Sequence, residues 1–190
     1  MKRSEINQLI LSARACFEAH GWALPPRPRW DVTDFGLGDW TKNCLVLVNL
    51  AEHVEYCEKL MYARRGMVTP AHCHHKKKED IISRWGTLRI QVWPGRPGEE
   101  MPESFDILVN GEVRSVSAGA EIDLAAGERV TLVPNIYHSF VPVTGECIIG
   151  EVSTANDDAH DNFFIDPDIG RFPHVEEDAE AEVKLLSDPS

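Results

Sequence analysis

The sequence predicts an all-β barrel or sandwich preceded by a single helix. Three observations carry that reading: one amphipathic stretch at the N-terminus, a series of short alternating apolar segments after Trp40, and Gly, Pro and Asn turns between them. At 190 residues the chain fits one domain with a substantial core. No internal repeat or low-complexity linker divides it.

Ser4 can cap a helix in which Ile6, Leu9, Ile10, Ala13, Cys16 and Phe17 recur at helical spacing and form one buried stripe. His20-Gly21 closes that helix, and the PPRPRW segment from Pro25 forbids its continuation. Cys44 to Leu50 is a continuous apolar run that suits a buried strand. His53 to Ala63 is a second strand, with Val54, Tyr56, Leu60 and Tyr62 on one parity. Leu88, Ile90 and Val92 alternate with Arg89 and Gln91. Asn110-Gly111, between Ile107-Leu108-Val109 and Val113, signals a type I′ hairpin. Val130 and Leu132 alternate again, as do the residues from Cys147 to Ser153. The acidic stretch from Glu176 to Glu182 reads as a solvated face or a mobile tail.

A formal net charge of −12 argues against nonspecific binding to nucleic acid or to an anionic membrane. The five cysteines are scattered and form no CxxC pair, which is the usage of a reducing compartment. No run of about 18 apolar residues appears, so neither a signal peptide nor a membrane span is expected. A cytoplasmic protein is the simplest expectation.

The segment GMVTPAHCHHKKKEDIISRWG, from Gly66 to Gly86, carries the chemistry. His72 and His74 are two apart, so on a strand their imidazoles share a face. Cys73 falls on the opposite parity. Glu79 follows a short charged stretch that can turn its carboxylate back, and His138 comes just beyond another strand-like run. Three imidazoles and one carboxylate suit a borderline divalent ion such as Mn, Fe, Co, Ni or Zn. An all-oxygen site would suit Mg or Ca better.

This spacing resembles the first motif of the cupin superfamily, which Gly66, His72, His74, Glu79 and Gly86 match throughout. The second motif is looser: Gly127, Pro134 and His138 are present, the glycine-to-proline gap is one longer, no glycine stands two after the proline, and the final asparagine is missing. The resemblance implies a jelly-roll-like β-barrel with a metal on His72, His74, Glu79 and His138. More of the chain resembles the bacterial D-lyxose isomerase family: the HCHHKKKEDI segment, EVSTANDDAHDNFF, and GRFPHVEED. That likeness implies a helical extension over 1–40, a barrel over 41–155, and a segment over 156–190 that lines the site and covers the barrel. It further implies an aldose–ketose isomerase of free pentoses and hexoses, D-lyxose to D-xylulose and D-mannose to D-fructose. Manganese is the first choice of metal, with Zn, Co, Fe or Ni as alternatives, and the assembly is a homodimer.

Interconverting an aldose and a ketose either moves a proton between C1 and C2 through a cis-enediol or shifts a hydride; the proton route needs a base beside the substrate and stabilisation of the developing oxyanion. Lys77, two residues before Glu79, shares its strand parity and is a candidate with it for the catalytic group. The family pattern places a further acid/base group before a proline, here Asp166, although glutamate is expected there and aspartate reaches less far. Arg171 has donors suited to sugar hydroxyls. Phe164 and Phe172 flank the same block and are candidates to line the sugar's apolar face. Asp157, Asp158 and Asp161 can instead cap or turn the loop. An Fe(II) dioxygenase would use the same four ligands, and a noncatalytic sugar-binding protein would need only the pocket. No Gly-rich loop opening a helix offers a phosphate cradle.

Overall fold

The computed structural model describes residues 1–157, 159–170 and 174–188. One helix, α1 (Arg3–Ala19), precedes the strands β1 (Arg29–Thr33), β2 (Leu45–Glu52), β3 (Tyr56–Arg64) and β4 (Thr69–Cys73). There follow β5 (Glu79–Trp85), β6 (Leu88–Trp93), β7 (Ser104–Val109), β8 (Glu112–Ser117) and β9 (Ala120–Leu124). The chain continues through β10 (Arg129–Leu132), β11 (Tyr137–Pro142), β12 (Glu146–Thr154) and the two-residue β13 (Phe163–Phe164). An eight-stranded sheet in the order β1-β2-β3-β12-β5-β10-β7-β8 is joined by a five-stranded sheet ordered β13-β4-β11-β6-β9. This is the cupin barrel that the metal motif implied.

Strand alternation decides what each sheet presents to the interior. On β2, Leu45 and Leu47 line the central cavity together with Lys59 and Met61 of β3 and Ile81 of β5. Val46 and Val48 point the other way and are equally buried, because α1 covers that face. Phe17 of α1 lies 6.3 Å from Trp30 and 6.5 Å from Tyr62, centroid to centroid. Trp30 pairs with Val48 and Tyr62 with Val46 across the strands. A sheet covered on both faces has no polar side to show, so the 45–48 run is apolar throughout.

All six residues of the helical stripe are buried. The helix starts earlier than a Ser4 cap would place it: the Lys2 N–H donates to Glu5 at 2.8 Å, and the Ser4 hydroxyl donates instead to Asp178 at 2.7 Å. The acidic stretch is exposed throughout, as a solvated face, and is also tied to α1. Arg3, 3% exposed, pairs with Glu177 at 2.6 Å and Asp188 at 2.7 Å. Asn7 holds the main chain at Glu180 and Glu182, and Leu185 is buried beside Trp30. Arg29–Thr33, expected to lie in the helical extension, is a strand of the larger sheet because Trp30 and Val32 are needed in the core under α1.

The Asn110-Gly111 turn forms as expected, with φ of 56° and 84°. Gly86 joins β5 to β6 at φ 82°, and a Cβ there would meet the Glu146 carbonyl oxygen at 2.5 Å and Cys147 Sγ at 2.8 Å. The motif glycine is thus required by both backbone conformation and space. Gly86→Ala is expected to lower stability by about 2 kcal/mol or more, read as a drop of several degrees in melting temperature. An unchanged melting temperature would contradict this account of the turn.

Candidate metal centre and active site

His72 sits on β4, His74 one residue past its end, and His138 on β11 opposite His72. All three are buried, and ligand nitrogens from all three lie within 4.8 Å of one another. Each ring is oriented by a main-chain carbonyl on its far side. The Nδ1–H of His72 donates to Pro70 O at 2.8 Å, that of His74 to Asp161 O, and that of His138 to Ile136 O at 3.2 Å. Those bonds leave each Nε2 lone pair free to ligate. Burial, with His138 and His74 beside it, holds the His72 pKa well below its ordinary value and keeps the ring neutral.

Glu79 begins β5 and is 2% exposed. Its Oε1 lies 3.4 Å from His74 Nε2 and 3.2 Å from His138 Nε2 but has no hydrogen-bond partner among the described residues. A buried carboxylate oxygen left without a partner is costly. A divalent cation between it and the three Nε2 atoms removes that cost, so the residues fit a metal of the N/O class.

The other oxygen, Oε2, accepts from Lys77 Nζ at 2.8 Å. Lys77 also donates to Glu151 Oε1 at 2.9 Å, and Lys59 Nζ lies 3.7 Å from that same oxygen. Burial opposes charge on Lys77, Glu79 and Glu151, but the pairing outweighs it. Glu151 and Glu79 pull the Lys77 pKa up; Lys77 holds the Glu79 carboxyl, and Lys59 with Lys77 the Glu151 carboxyl, below the usual range. Lys77 is therefore a fixed cation that links two carboxylates.

The 75–77 turn that aims Lys77 is built by Asp161. Its carboxylate accepts the main-chain N–H groups of His75 at 2.8 Å, Lys76 at 3.2 Å and Lys77 at 3.0 Å. Burial alone would raise this carboxyl; the three N–H groups outweigh it and lower the pKa. The turn before His138 is equally tied in: Asn135 takes the left-handed conformation at φ 70°, and its N–H donates to His74 O at 2.7 Å. Asparagine tolerates that conformation, which accounts for the absent motif glycine one residue later.

Phe164 lines the cavity, its ring 5.3 Å from His72 and 5.9 Å from Phe35. Cys73 points away and is buried, and His75 stacks on Phe163 at 3.7 Å. Asp166 lies apart from this cluster. It is exposed, borders an outer groove rather than the cavity, and accepts the N–H of Asp168 at 2.9 Å in a local turn ahead of Ile169. Arg171, Phe172 and Asp158 lie outside the described residues.

Glu151 and Lys59 are the residues that sequence reasoning missed. Both are charged side chains on a buried parity that is otherwise uncharged: Cys147, Ile149, Glu151 and Ser153 on β12, and Cys57, Lys59, Met61 and Ala63 on β3. A charge on the buried parity was the available signal. It went unread because the apolar residues of the opposite parity suggested the other face of β3 as the core.

The family profile for D-lyxose isomerase matches residues 27–189. The D-lyxose/D-mannose isomerase of Escherichia coli O157:H7 is 33% identical over 223 residues, covering 99% of this chain and 98% of that protein. The chain belongs to the D-lyxose isomerase family. It is a sugar isomerase by that membership. The D-lyxose/D-mannose isomerase of Serratia proteamaculans is also 33% identical, covering 94% of this chain and 93% of that one. Among solved structures, the L-ribose isomerase of Acinetobacter sp. DL28 in complex with L-ribose superposes with a TM-score of 0.70. It is 17% identical, with 93% of this chain and 98% of that one covered, and that likeness speaks for the fold alone.

Because the Asp161 carboxylate holds the turn that follows His74 and carries Lys77, Asp161→Ala is expected to weaken divalent-metal affinity about 10–100-fold. Chelator competition measures this directly. Wild-type affinity in the variant would remove Asp161 from the support of the site.

Proposed function

We propose that the protein interconverts free aldoses and ketoses, D-lyxose with D-xylulose and D-mannose with D-fructose, by moving a proton between C1 and C2. The observation that carries this reading is the buried Lys77 bridge between Glu79, which faces the three imidazoles, and Glu151, which stands outside the ligand set. The names of the relatives agree with it.

His72, His74, Glu79 and His138 are the metal ligands in this reading, with manganese the metal to try first. A divalent metal held there supplies Lewis-acid polarisation of the sugar's carbonyl and neighbouring hydroxyl oxygens. Everything else comes from the chain. Glu151, rather than Asp166, is the base: it takes the proton from one carbon and returns it to the next. Lys77, held as a cation, donates to the oxygen that gains negative charge as that proton leaves and relays the hydroxyl proton from O2 to O1, which balances the step. Leu45, Leu47, Met61, Ile81 and Phe164 form the apolar wall of the cavity in which that transfer takes place. Arg171 and Phe172 retain their assignment to the sugar's hydroxyls and apolar face.

Among the described residues no helix is long and apolar enough to cross a membrane. We assign a cytoplasmic homodimer as the setting. Exposed Tyr56 and Val152 border one shallow groove on the larger sheet and Val113 and Val133 an adjoining one, with Leu108 in both, a surface such a dimer could use.

The deciding experiment incubates metal-stripped protein anaerobically with D-lyxose or D-mannose, with and without added Mn. Xylulose or fructose formed only with metal supports the reading; no ketose from either sugar, with metal bound, overturns it. His74→Ala should lose both metal and turnover. Lys77→Ala and Glu151→Gln should keep the metal and lose about 10²–10⁴-fold in kcat. Wild-type turnover in either variant would remove that residue from the chemistry.

A further inference from the structure

The site contains one irregular strand pairing. Across β11 and β4, His138 pairs with His72 and Phe140 pairs with Thr69, so two steps along one strand face three along the other. The extra residue is a β-bulge. Strict alternation from His72 would turn Pro70 inward; the bulge turns Thr69 inward in its place. Proline suits the position, since it has no N–H to leave unpaired, and its carbonyl accepts the Nδ1–H of His72 at 2.8 Å.

Thr69 is consequently 3% exposed and lines the same cavity as His72, Lys77 and Glu151. Its hydroxyl has no hydrogen-bond partner among the described residues. The other threonine of this cavity, Thr33, is already engaged, accepting the Phe35 N–H at 2.9 Å. A buried hydroxyl is destabilising unless something completes its bonding. A bulge that re-aims such a hydroxyl into a cavity points to a ligand that completes it. Two to three residues of strand separate Thr69 from His72, on the order of 7–10 Å, which sets the hydroxyl apart from the ligand end of the cavity.

We propose that Thr69 Oγ1 hydrogen-bonds a sugar hydroxyl remote from the carbonyl and thereby selects among sugars. The assignment rests on the isomerase reading of this cavity. The test compares wild type, Thr69→Val and Thr69→Ser, each loaded with Mn, on D-lyxose and on analogues lacking the 3-, 4- or 5-hydroxyl. Thr69→Val should lower kcat/KM for D-lyxose about tenfold or more, mainly through KM, with metal content unchanged and melting temperature equal or higher. Thr69→Ser should recover most of the loss. One deoxygenated analogue should be penalised in wild type and not in Thr69→Val, which identifies the hydroxyl contacted.

A Thr69→Val enzyme that treats D-lyxose and every analogue as wild type does would overturn the assignment. So would a loss accompanied by lower metal content or melting temperature, which would make Thr69 a structural residue. Wild-type protein that turns over no free aldose would overturn the isomerase reading itself, and the Thr69 assignment with it.

Discussion

Four ionisable side chains, Lys59, Lys77, Glu79 and Glu151, lie inside an apolar barrel, none more than 5% exposed. Any one of them alone would be untenable there, since an unpaired buried charge costs several kcal/mol. Their mutual pairing is the constraint to which the rest of the structure answers. Lys59 comes from β3, Lys77 from the turn before β5, Glu79 from β5 and Glu151 from β12. Because β12 pairs with both β3 and β5, these sites are adjacent across one sheet. The smaller sheet then contributes His72 and His138 from the opposite wall, and Glu79 Oε1 meets them. One sheet holds the charge pairs and the other faces it with imidazoles, and Lys77 joins Glu79, which meets the imidazoles, to Glu151, which does not.

Precision in this cluster depends on residues that do no chemistry. Asp161 reaches back from the chain beyond β12 to hold the 75–77 turn through its side chain and His74 through its carbonyl. Pro70 and Ile136 carbonyls set the other two rings. Neutral imidazoles with a fixed Nδ1–H tautomer are the form a divalent metal requires. The C-terminal stretch is anchored in turn by Arg3, so the covering segment is tied at one end to the site and at the other to α1.

Much of this was legible in the sequence where local rules suffice. The helical stripe, the Asn110-Gly111 turn and the HxH spacing each follow from one element's own periodicity. The rest needed information from across the sheet. Glu151 and Lys59 stand 92 residues apart, so nothing local links them, and their partnership exists only through the β3–β12 pairing. Thr69 is read correctly only once the bulge opposite Phe140 is seen, because parity counted from His72 selects Pro70. The place of Asp166 was not legible for a related reason: an acidic residue before a proline equally suits a surface turn, and Asp166 makes one. The ties of the exposed acidic stretch were not legible because its partners, Arg3, Ser4 and Asn7, lie at the far end of the chain.

A carboxylate beside a fixed ammonium is equipped to move a proton, whereas a hydride shift would need no base at the reacting carbon. The most direct measurement is therefore turnover of D-lyxose in deuterium oxide by the Mn-loaded protein, with the product followed by NMR. Deuterium incorporated at C1 of the xylulose is the predicted result, since a proton held on Glu151 can exchange before it is returned. Ketose formed to high conversion with no deuterium at C1 would contradict the central claim and leave the Lys77–Glu151 pair without its proposed role.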